Sequence, residues 1–559
     1  MNTAPFFNLI DKPWLPVLGA STGMRLVSLR QAYHEADKIQ DIVGDLPTQS
    51  VALLRLLLAV LHRAVQGPND LNEWQEVRFD WSAALEDIDA YLDDCHDRFW
   101  LQHPIQPFMQ VPDLRTAKNE KFGLSRIVCD GPGTSTFMTT RLAGNLESAP
   151  WPEAARWLIH AHAYDVSGIH SGAVGDPRVK NGKGYGIGTG WAGQLGVVHL
   201  IGQNLRETLL LNLIAPKVAG LEIDVDGDLP VWERPPLTAL PEGWHAADGV
   251  DQPYRTPTGL VDLYTWQTRR IRLFGSLEQA TGVINAQGDR ATPQNRHRLE
   301  PMSAWRYSEP QTKALGHDTY MPLRHQPERA FWRGLGALLP STTSAASSNS
   351  PKRRLPPALA EWVSYLRGEE GIKGCMLRWR AVGIEYGTQD AIYTEVWADD
   401  LTLPSSLFGD VSLADLTEKA VDSTQLAVLA LGNLAQNVTL AAGGSTESDG
   451  PKQQAQARAY AELDQRFCKW VQTLDDNAQE AECRQAWHRE VWKLLNGLAN
   501  EIVDSAGEAA LIGRHTGGQF RDAGLALRWF HKKLREALPH AFDNEDAAEQ
   551  PNTEGAIDE

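Results

Sequence analysis

Apolar positions divide this chain into two textures. From Thr48 to His62 they fall on nearly every side of a helical wheel, which predicts a helix buried among other elements. Amphipathic spacing predicts further helices over 83–98 and 151–162. Around them the runs are short. Phe7 to Val17 sets apolar residues among Pro13 and Pro16, which predicts an edge strand and a turn, and Leu26 to Leu29 fits a second strand or a helix start. Residues 195–214 read as a strand running into a helix or a second strand. Tyr264 to Leu273, which includes Arg269, Arg270 and Arg272, alternates like a strand with one cationic face. Arg378 to Tyr393 places two apolar arms around Gly387-Thr388-Gln389-Asp390, the pattern of a β-hairpin with a polar tip.

After Pro404 the period changes to a sustained helical one over 412–442, 452–476, 478–505 and 517–538. The breaks fall at Gly443-Gly444, at a short acidic turn and at Gly513 to Gly518, so four consecutive helices predict an up-and-down bundle. The last of them would present Arg521, Arg528, Lys532, Lys533 and Arg535 as a basic face. The predicted fold class is α+β: a large mixed α/β N-terminal domain over 1–400, an all-α four-helix bundle over 401–540, and an acidic tail over 541–559 expected to be disordered.

Composition narrows the function. At 559 residues the chain exceeds one core, since a domain takes about 100–200 residues. No run approaches the ~20 uncharged residues of a membrane span, and Met1 to Asn8 lacks a basic stretch followed by an apolar core, so a soluble cytoplasmic protein is expected. The five cysteines are scattered with no C-x-x-C pair, which indicates neither a disulfide framework nor a cysteine zinc site. The net charge of −18 argues against wholesale coating of nucleic acid, although the residues after His540 include acids and no Lys or Arg. Any nucleic-acid contact must therefore be local.

One stretch fits such a contact. In Asp176 to Gly193 glycines recur at alternate positions from Gly182 to Gly190, with Arg178, Lys180 and Lys183 at the entrance and Tyr185 and Trp191 inside. Bare backbone can approach a phosphate or a base edge closely, and the cations add attraction. The alternative is a mobile surface loop or a turn packed on a sheet. A second long loop, over 112–136, leads into Gly131 to Arg141 and presents Phe137 and Met138. Arg296-His297-Arg298 and Lys352-Arg353-Arg354 form small basic clusters, the second preceded by a Ser/Thr/Ala-rich linker over 341–350. A hydrolytic reading rests on His160, His162 and Asp165, with His170 following, as metal ligands. On a helix His160 and His162 stand about 200° apart, which opposes a shared metal. P-loop, G-x-S-x-G and H-E-x-x-H motifs are absent, and Gly182 to Ile187 does not complete a dinucleotide fingerprint. No cofactor is implied.

With these residues in view, the chain resembles the CasA family, the large subunit of the type I-E CRISPR complex Cascade. The resemblance runs through Asn8-Leu9-Ile10, Trp14 to Val17, Pro107 to Gln110, the Phe137 loop, the glycine loop, Leu205 to Asn212, Trp266-Gln267, the Gln389 hairpin and the helical bundle. It implies a non-enzymatic subunit that reads the protospacer-adjacent motif (PAM) of double-stranded target DNA through the minor groove, promotes duplex opening and R-loop formation, and helps recruit a helicase-nuclease. Its other implied partners are crRNA and the backbone and small subunits of the complex. By position, the resemblance places the DNA-contacting glycine loop on Asn181, Gly182, Lys183 and Gly184, which the loop's own cations and aromatic extend to Lys180 and Tyr185, a minor-groove cation on Arg296 or Arg298, and a wedge on Gln389. It assigns contact with the crRNA 5′ handle to Phe137, Met138 and Thr139. Arg528, Lys532 and Lys533 would help position the displaced strand. Relatives with a cysteine cluster in this region could hold zinc, but residues 274–295 contain no cysteine, so no metal is expected.

Overall fold

The computed structural model describes residues 4–130, 146–244, 255–340, 353–368, 372–445 and 449–542. Its fold is α+β, with small antiparallel sheets among helices followed by an all-α bundle. The chain divides into two compact units: Met1–Phe331 with Ser344–Gly371 and Leu377–Leu401, and Trp332–Thr343 with Ile372–Met376 and Thr402–Glu559.

The first unit is built on the helix Pro47–Ala64, whose first position is a proline, where the missing N–H costs no helical hydrogen bond. The helix is buried along nearly its whole length and packs on Trp81–Asp94, Trp151–Tyr164 and Leu260–Tyr264. Its one buried cation is matched. Arg55 donates to both carboxylate oxygens of Glu300 at 2.9 Å, and Trp191 Nε1 donates to the same carboxylate at 2.6 Å. A buried ion pair needs such additional donors to offset desolvation.

Leu26 to Leu29 serves both predicted ends: the strand Gly23–Val27 finishes there, and Ser28 caps the helix Leu29–His34 through a capping box with Gln31. The expected cationic strand face is corrected. Leu260–Tyr264 is helical, the strand is Arg269–Gly275, and Arg269 and Arg270 are buried. Each meets a carboxylate distant in sequence, Asp165 or Asp289, at 2.8 Å. Such pairing makes burial of a guanidinium tolerable.

In the second unit the helix Val411–Ala442 packs against Gly450–Val471, Glu480–Asp504 and Ala523–Ala537. Asp410 caps its start, and Gly443, at φ 102°, ends it in the left-handed region. Trp332 stacks on Phe467 at 4.4 Å, and Trp487 Nε1 donates to Thr424 Oγ1 at 2.9 Å within this core. The last helix begins later than its periodicity predicts. Gly517 and Gly518, at φ 63° and 78°, turn a short hairpin between Arg514–Thr516 and Gln519–Arg521. Arg521 therefore lies in that hairpin, donating to Asn437 Oδ1 at 3.1 Å, and not on the helix.

Candidate nucleic-acid interface

The site starts where the helix Trp151–Tyr164 ends. Asp165 is buried, and its carboxylate only accepts: Oδ2 from Arg269 Nε at 2.8 Å and Asn285 Nδ2 at 2.9 Å, Oδ1 from the Val166 N–H at 2.9 Å and the Tyr393 hydroxyl at 3.1 Å. Burial alone would raise its pKa, but His170, 3.4 Å from Oδ2, with Arg269 and Asn285, outweighs burial and holds it below the ordinary carboxylate value. Arg269 also donates to the carbonyls of Val166 and Gly188 at 2.5 and 3.0 Å, which fixes both ends of the segment between them.

Within that segment Lys180 and Lys183 exchange two backbone hydrogen bonds of 3.0 Å. Asn181 and Gly182, at φ 54° and 73°, supply the two left-handed residues that a type I′ turn requires. Lys183–Gly184 then pairs with His170–Ser171, and the buried Gln287 amide donates to the carbonyls of Gly168 and Gly184 at 3.1 and 3.4 Å. Lys180, Asn181, Gly182 and Lys183 are exposed, and a Cβ at Gly182 would meet nothing within 4 Å. Gly184 lies beneath them, buried, where a Cβ would stand 3.1 Å from Gln287 Cγ.

Two expectations for this loop are corrected. Arg178 is an anchor and not a free cation, since it donates to Asp176 Oδ1 and to the carbonyls of Gly288 and Gln287 at 2.9, 2.8 and 3.1 Å. Three of the later glycines, Gly186, Gly190 and Gly193, are sites of close packing rather than parts of a mobile loop, whereas Gly188, at φ 112°, has open space beside it. A Cβ at Gly186 would run into the Ser167 carbonyl, at Gly190 into the Ala163 backbone, and at Gly193 into the Tyr386 hydroxyl. The helix end and the long hairpin leave no room for one.

The hairpin Met376–Tyr386 and Tyr393–Pro404 carries Gln389 at its tip, exposed and at φ 58°, with Asp390 at φ 53°. Two successive non-glycine residues in this region need outside support. Ser167 gives it: its N–H donates to the Asp390 carbonyl at 2.7 Å. Ser167 thus joins the glycine loop, through Gly186, to the Gln389 tip.

Arg296 and Arg298 belong to a single 3-10 turn behind Asn295, which is left-handed at φ 57° and tied to the Tyr320 N–H at 2.7 Å. Arg298 is paired with Glu222. Among the described residues the Arg296 side chain donates only to Thr292, through the carbonyl at 3.3 Å and the hydroxyl at 3.5 Å, and burial pushes its pKa down. No hydrogen bond joins Arg296 to the glycine loop or to Gln389 among the described residues.

On the last bundle helix, Arg528, Lys532 and Arg535 are exposed and lie on one face with His531. Lys533 points to another side and pairs with Glu536 at 2.7 Å. Phe137, Met138 and Thr139 lie outside the described residues, as do the 341–350 linker and residues 543–559.

The hydrolytic reading loses its ligands. His160 and His162 are buried and face different partners, Nε2 of each lying 2.9 Å from Thr48 Oγ1 and the Met109 carbonyl respectively. Burial pushes both pKa values down to about 3. Asp165 is taken by Arg269, and among the described residues no group of three His, Cys, Asp or Glu side chains is placed to hold a metal ion. Sequence reasoning did not find Ser167, Gln287 or Asn285, the residues that position the site, because nothing local marks a serine or an amide as a bridge between distant loops.

The model of the family described as CRISPR-associated protein Cse1 matches residues 8–498. The CRISPR-associated protein CasA/Cse1 of Thermus thermophilus is 30% identical over 461 residues, spanning 80% of this chain and 80% of that protein. The crystal structure of Thermobifida fusca Cse1 is 41% identical with a TM-score of 0.86, covering 96% of this chain and 99% of that one. Cse1 from Acidimicrobium ferrooxidans is 26% identical with a TM-score of 0.77, covering 96% and 98%.

Proposed function

Since the chain belongs to the CRISPR-associated Cse1 (CasA) family, we propose that it acts without catalysis of its own, as the large subunit of a crRNA-guided surveillance complex. Its task there is to inspect the PAM of double-stranded DNA, start duplex opening for R-loop formation, and help recruit the helicase-nuclease. The observation that carries this reading is the Ser167 bridge, which holds an exposed lysine-bearing turn and an exposed Gln389 as one rigid surface. Gly182 leaves the turn open to close backbone approach, and Lys180 and Lys183 lie on either side of Asn181-Gly182, an arrangement that suits the narrow minor groove with its degenerate acceptor pattern. Tyr185 borders the turn. Gln389, presented on a supported tip, would enter the stack beside the PAM and offer its amide to the base edges that it exposes.

Arg296 suits the minor-groove cation better than Arg298, because Arg298 already has a carboxylate partner. Phe137, Met138 and Thr139 would contact the crRNA handle, and the bundle would dock neighbouring subunits while Arg528 and Lys532 guide the displaced strand. Among the described residues no helix is long and apolar enough to cross a membrane, and a cytoplasmic site of action follows from DNA surveillance. The test is a PAM-library binding assay on the assembled complex comparing the wild type with Lys183→Ala, Arg296→Ala and Gln389→Ala. Narrowed or lost selectivity is expected, and unchanged selectivity in all three would overturn the reading.

A further inference from the structure

The turn that carries Lys183 also carries an apolar surface that the reading above leaves unused. Residues at alternate positions of a strand share a face, and opposed residues of an antiparallel pair project to the same side. The register His170↔Gly184 and Ser171↔Lys183, continued by one residue, sets Ile169 opposite Tyr185. Burial follows this alternation: His170 and Gly184 are buried, whereas Ile169 is 53% exposed, Tyr185 is 50% exposed and Lys183 is exposed. One face of this small ribbon thus presents an aromatic ring, a branched aliphatic side chain and a lysine to solvent. Tyr185 makes no hydrogen bond or ring contact with the described residues.

Single exposed apolar residues are ordinary on a protein surface, but these two are paired and held. Gln287 donates to the carbonyls of Gly168 and Gly184, the residues just before Ile169 and Tyr185, so neither backbone can swing inward to bury its side chain. On their other sides Ser167 and Gly186 are in contact, and Ser167 is bonded to Asp390, next to Gln389. The apolar pair therefore lies close to the support of the Gln389 tip, Ile169 two residues from Ser167 and Tyr185 one residue from Gly186. The turn supplies Lys180 and Lys183, and the carboxylates that flank the pair in sequence are engaged, Asp165 by Arg269 and Asp176 by Arg178.

From this arrangement we infer that Ile169 and Tyr185 form a stacking platform for a nucleotide unpaired beside the PAM, with Lys183 at its phosphate. This rests on the proposed DNA-inspecting role of the loop and deepens it. An inserted glutamine breaks a base pair, but the freed base re-pairs unless something takes it. An aromatic face does so without regard to sequence, since every base has a π-face, and a flanking cation holds the attached phosphate.

The experiment uses the complex assembled with crRNA and a target duplex carrying 2-aminopurine at the first position beside the PAM, whose fluorescence rises on unstacking. Tyr185→Ala and Ile169→Ser are expected to slow opening of the paired target about tenfold, and Tyr185→Phe, which keeps the ring, to restore most of the rate. A target with that position already mispaired should open at similar rates in all variants, since no base pair then competes with the platform. If both variants open the paired target at the wild-type rate while Gln389→Ala slows it, the platform is wrong and the underlying reading stands. If Lys183→Ala and Gln389→Ala also leave opening and PAM selectivity unchanged, the DNA-inspecting role itself fails. Equal slowing on paired and mispaired targets would overturn the platform by placing these residues in duplex docking.

Discussion

Asp165 and Arg269, 104 residues apart in sequence, meet at 2.8 Å with both side chains buried, and the glycine loop is fastened to the fold at their contact. The partners of the Asp165 carboxylate are all donors, so Asp165→Asn would turn an amide N–H toward at least one of them and leave Arg269 buried without a counter-charge. Removing one member of such a pair costs about 3–5 kcal/mol. The expected outcome is a clear drop in the thermal midpoint, with faster hydrogen exchange across 166–190 than across the bundle. An unchanged midpoint would mean that the contact does not fasten the loop.

The glycines of the loop divide into two kinds, and substitution separates them. Gly190→Ala forces a methyl into the Ala163 backbone and is expected to cost about 1–3 kcal/mol as overpacking. Gly182→Ala has open space but a left-handed backbone at φ 73°, so its cost is about 1 kcal/mol. Chemical denaturation of the two variants checks the order, and the opposite ranking would contradict the packing described.

These two kinds of glycine also mark what the sequence could and could not reveal. The bundle and the buried helix Pro47–Ala64 were legible because helical periodicity is local, as was the Gln389 hairpin, whose arms and tip lie side by side in the chain. The resemblance to the CasA family is borne out by the family match and by the relatives that share the fold. The alternate glycines looked like flexibility because Ser167, Ala163 and Tyr386, the surfaces they press against, come from other segments. The arginine-bearing strand looked cationic on one face for the same reason, since Asp165 and Asp289 reach Arg269 and Arg270 only through the fold. The Asn181-Gly182 turn did carry a local signal, because that dipeptide favours a type I′ turn.

Acid should weaken the first unit before ordinary carboxylates titrate. His160 and His162 have folded pKa values of about 3 against an unfolded value near 6.5. Between these limits the unfolded chain binds protons that the folded chain excludes, so stability is complete above pH 6.5 and falls as pH drops toward 3. Each such histidine removes about 1.4 kcal/mol per pH unit in that window. His62 and His170, lowered to about 4, add to the slope over a narrower range. Urea midpoints measured from pH 7.5 to 5 should decline, and His160→Gln should flatten the decline whatever it does to the midpoint at pH 7.5. A flat profile in the wild type would show that these histidines are not excluded from protonation.

Arg296 and Arg298 should differ sharply in DNA binding although they are two residues apart. Arg298 must give up Glu222 to reach a groove, whereas Arg296 gives up only the carbonyl and hydroxyl of Thr292. Arg296→Ala is expected to weaken PAM-duplex binding by the assembled complex about tenfold, in line with ~1–3 kcal/mol for one specific contact. Arg298→Ala should change it about twofold or less, since a charge paired with Glu222 acts on DNA only through the screened field. Equal losses in the two variants, measured by salt titration of binding, would remove the distinction.

The basic stripe of the last helix can be tested by the same contrast within one element. Arg528, Lys532 and Arg535 share an exposed face, but Lys533 is turned away and held by Glu536. A strand tracking that face would release counterions from the first three, giving a slope of log K against log salt of about −0.7 per neutralised phosphate for single-stranded DNA. Arg528→Ala combined with Lys532→Ala should therefore reduce the slope for the displaced strand by about 1.4, and Lys533→Ala should leave it unchanged. If Lys533→Ala lowers the slope as much as either of the others, the strand does not follow the stripe, and the charges of this helix act only through their summed field.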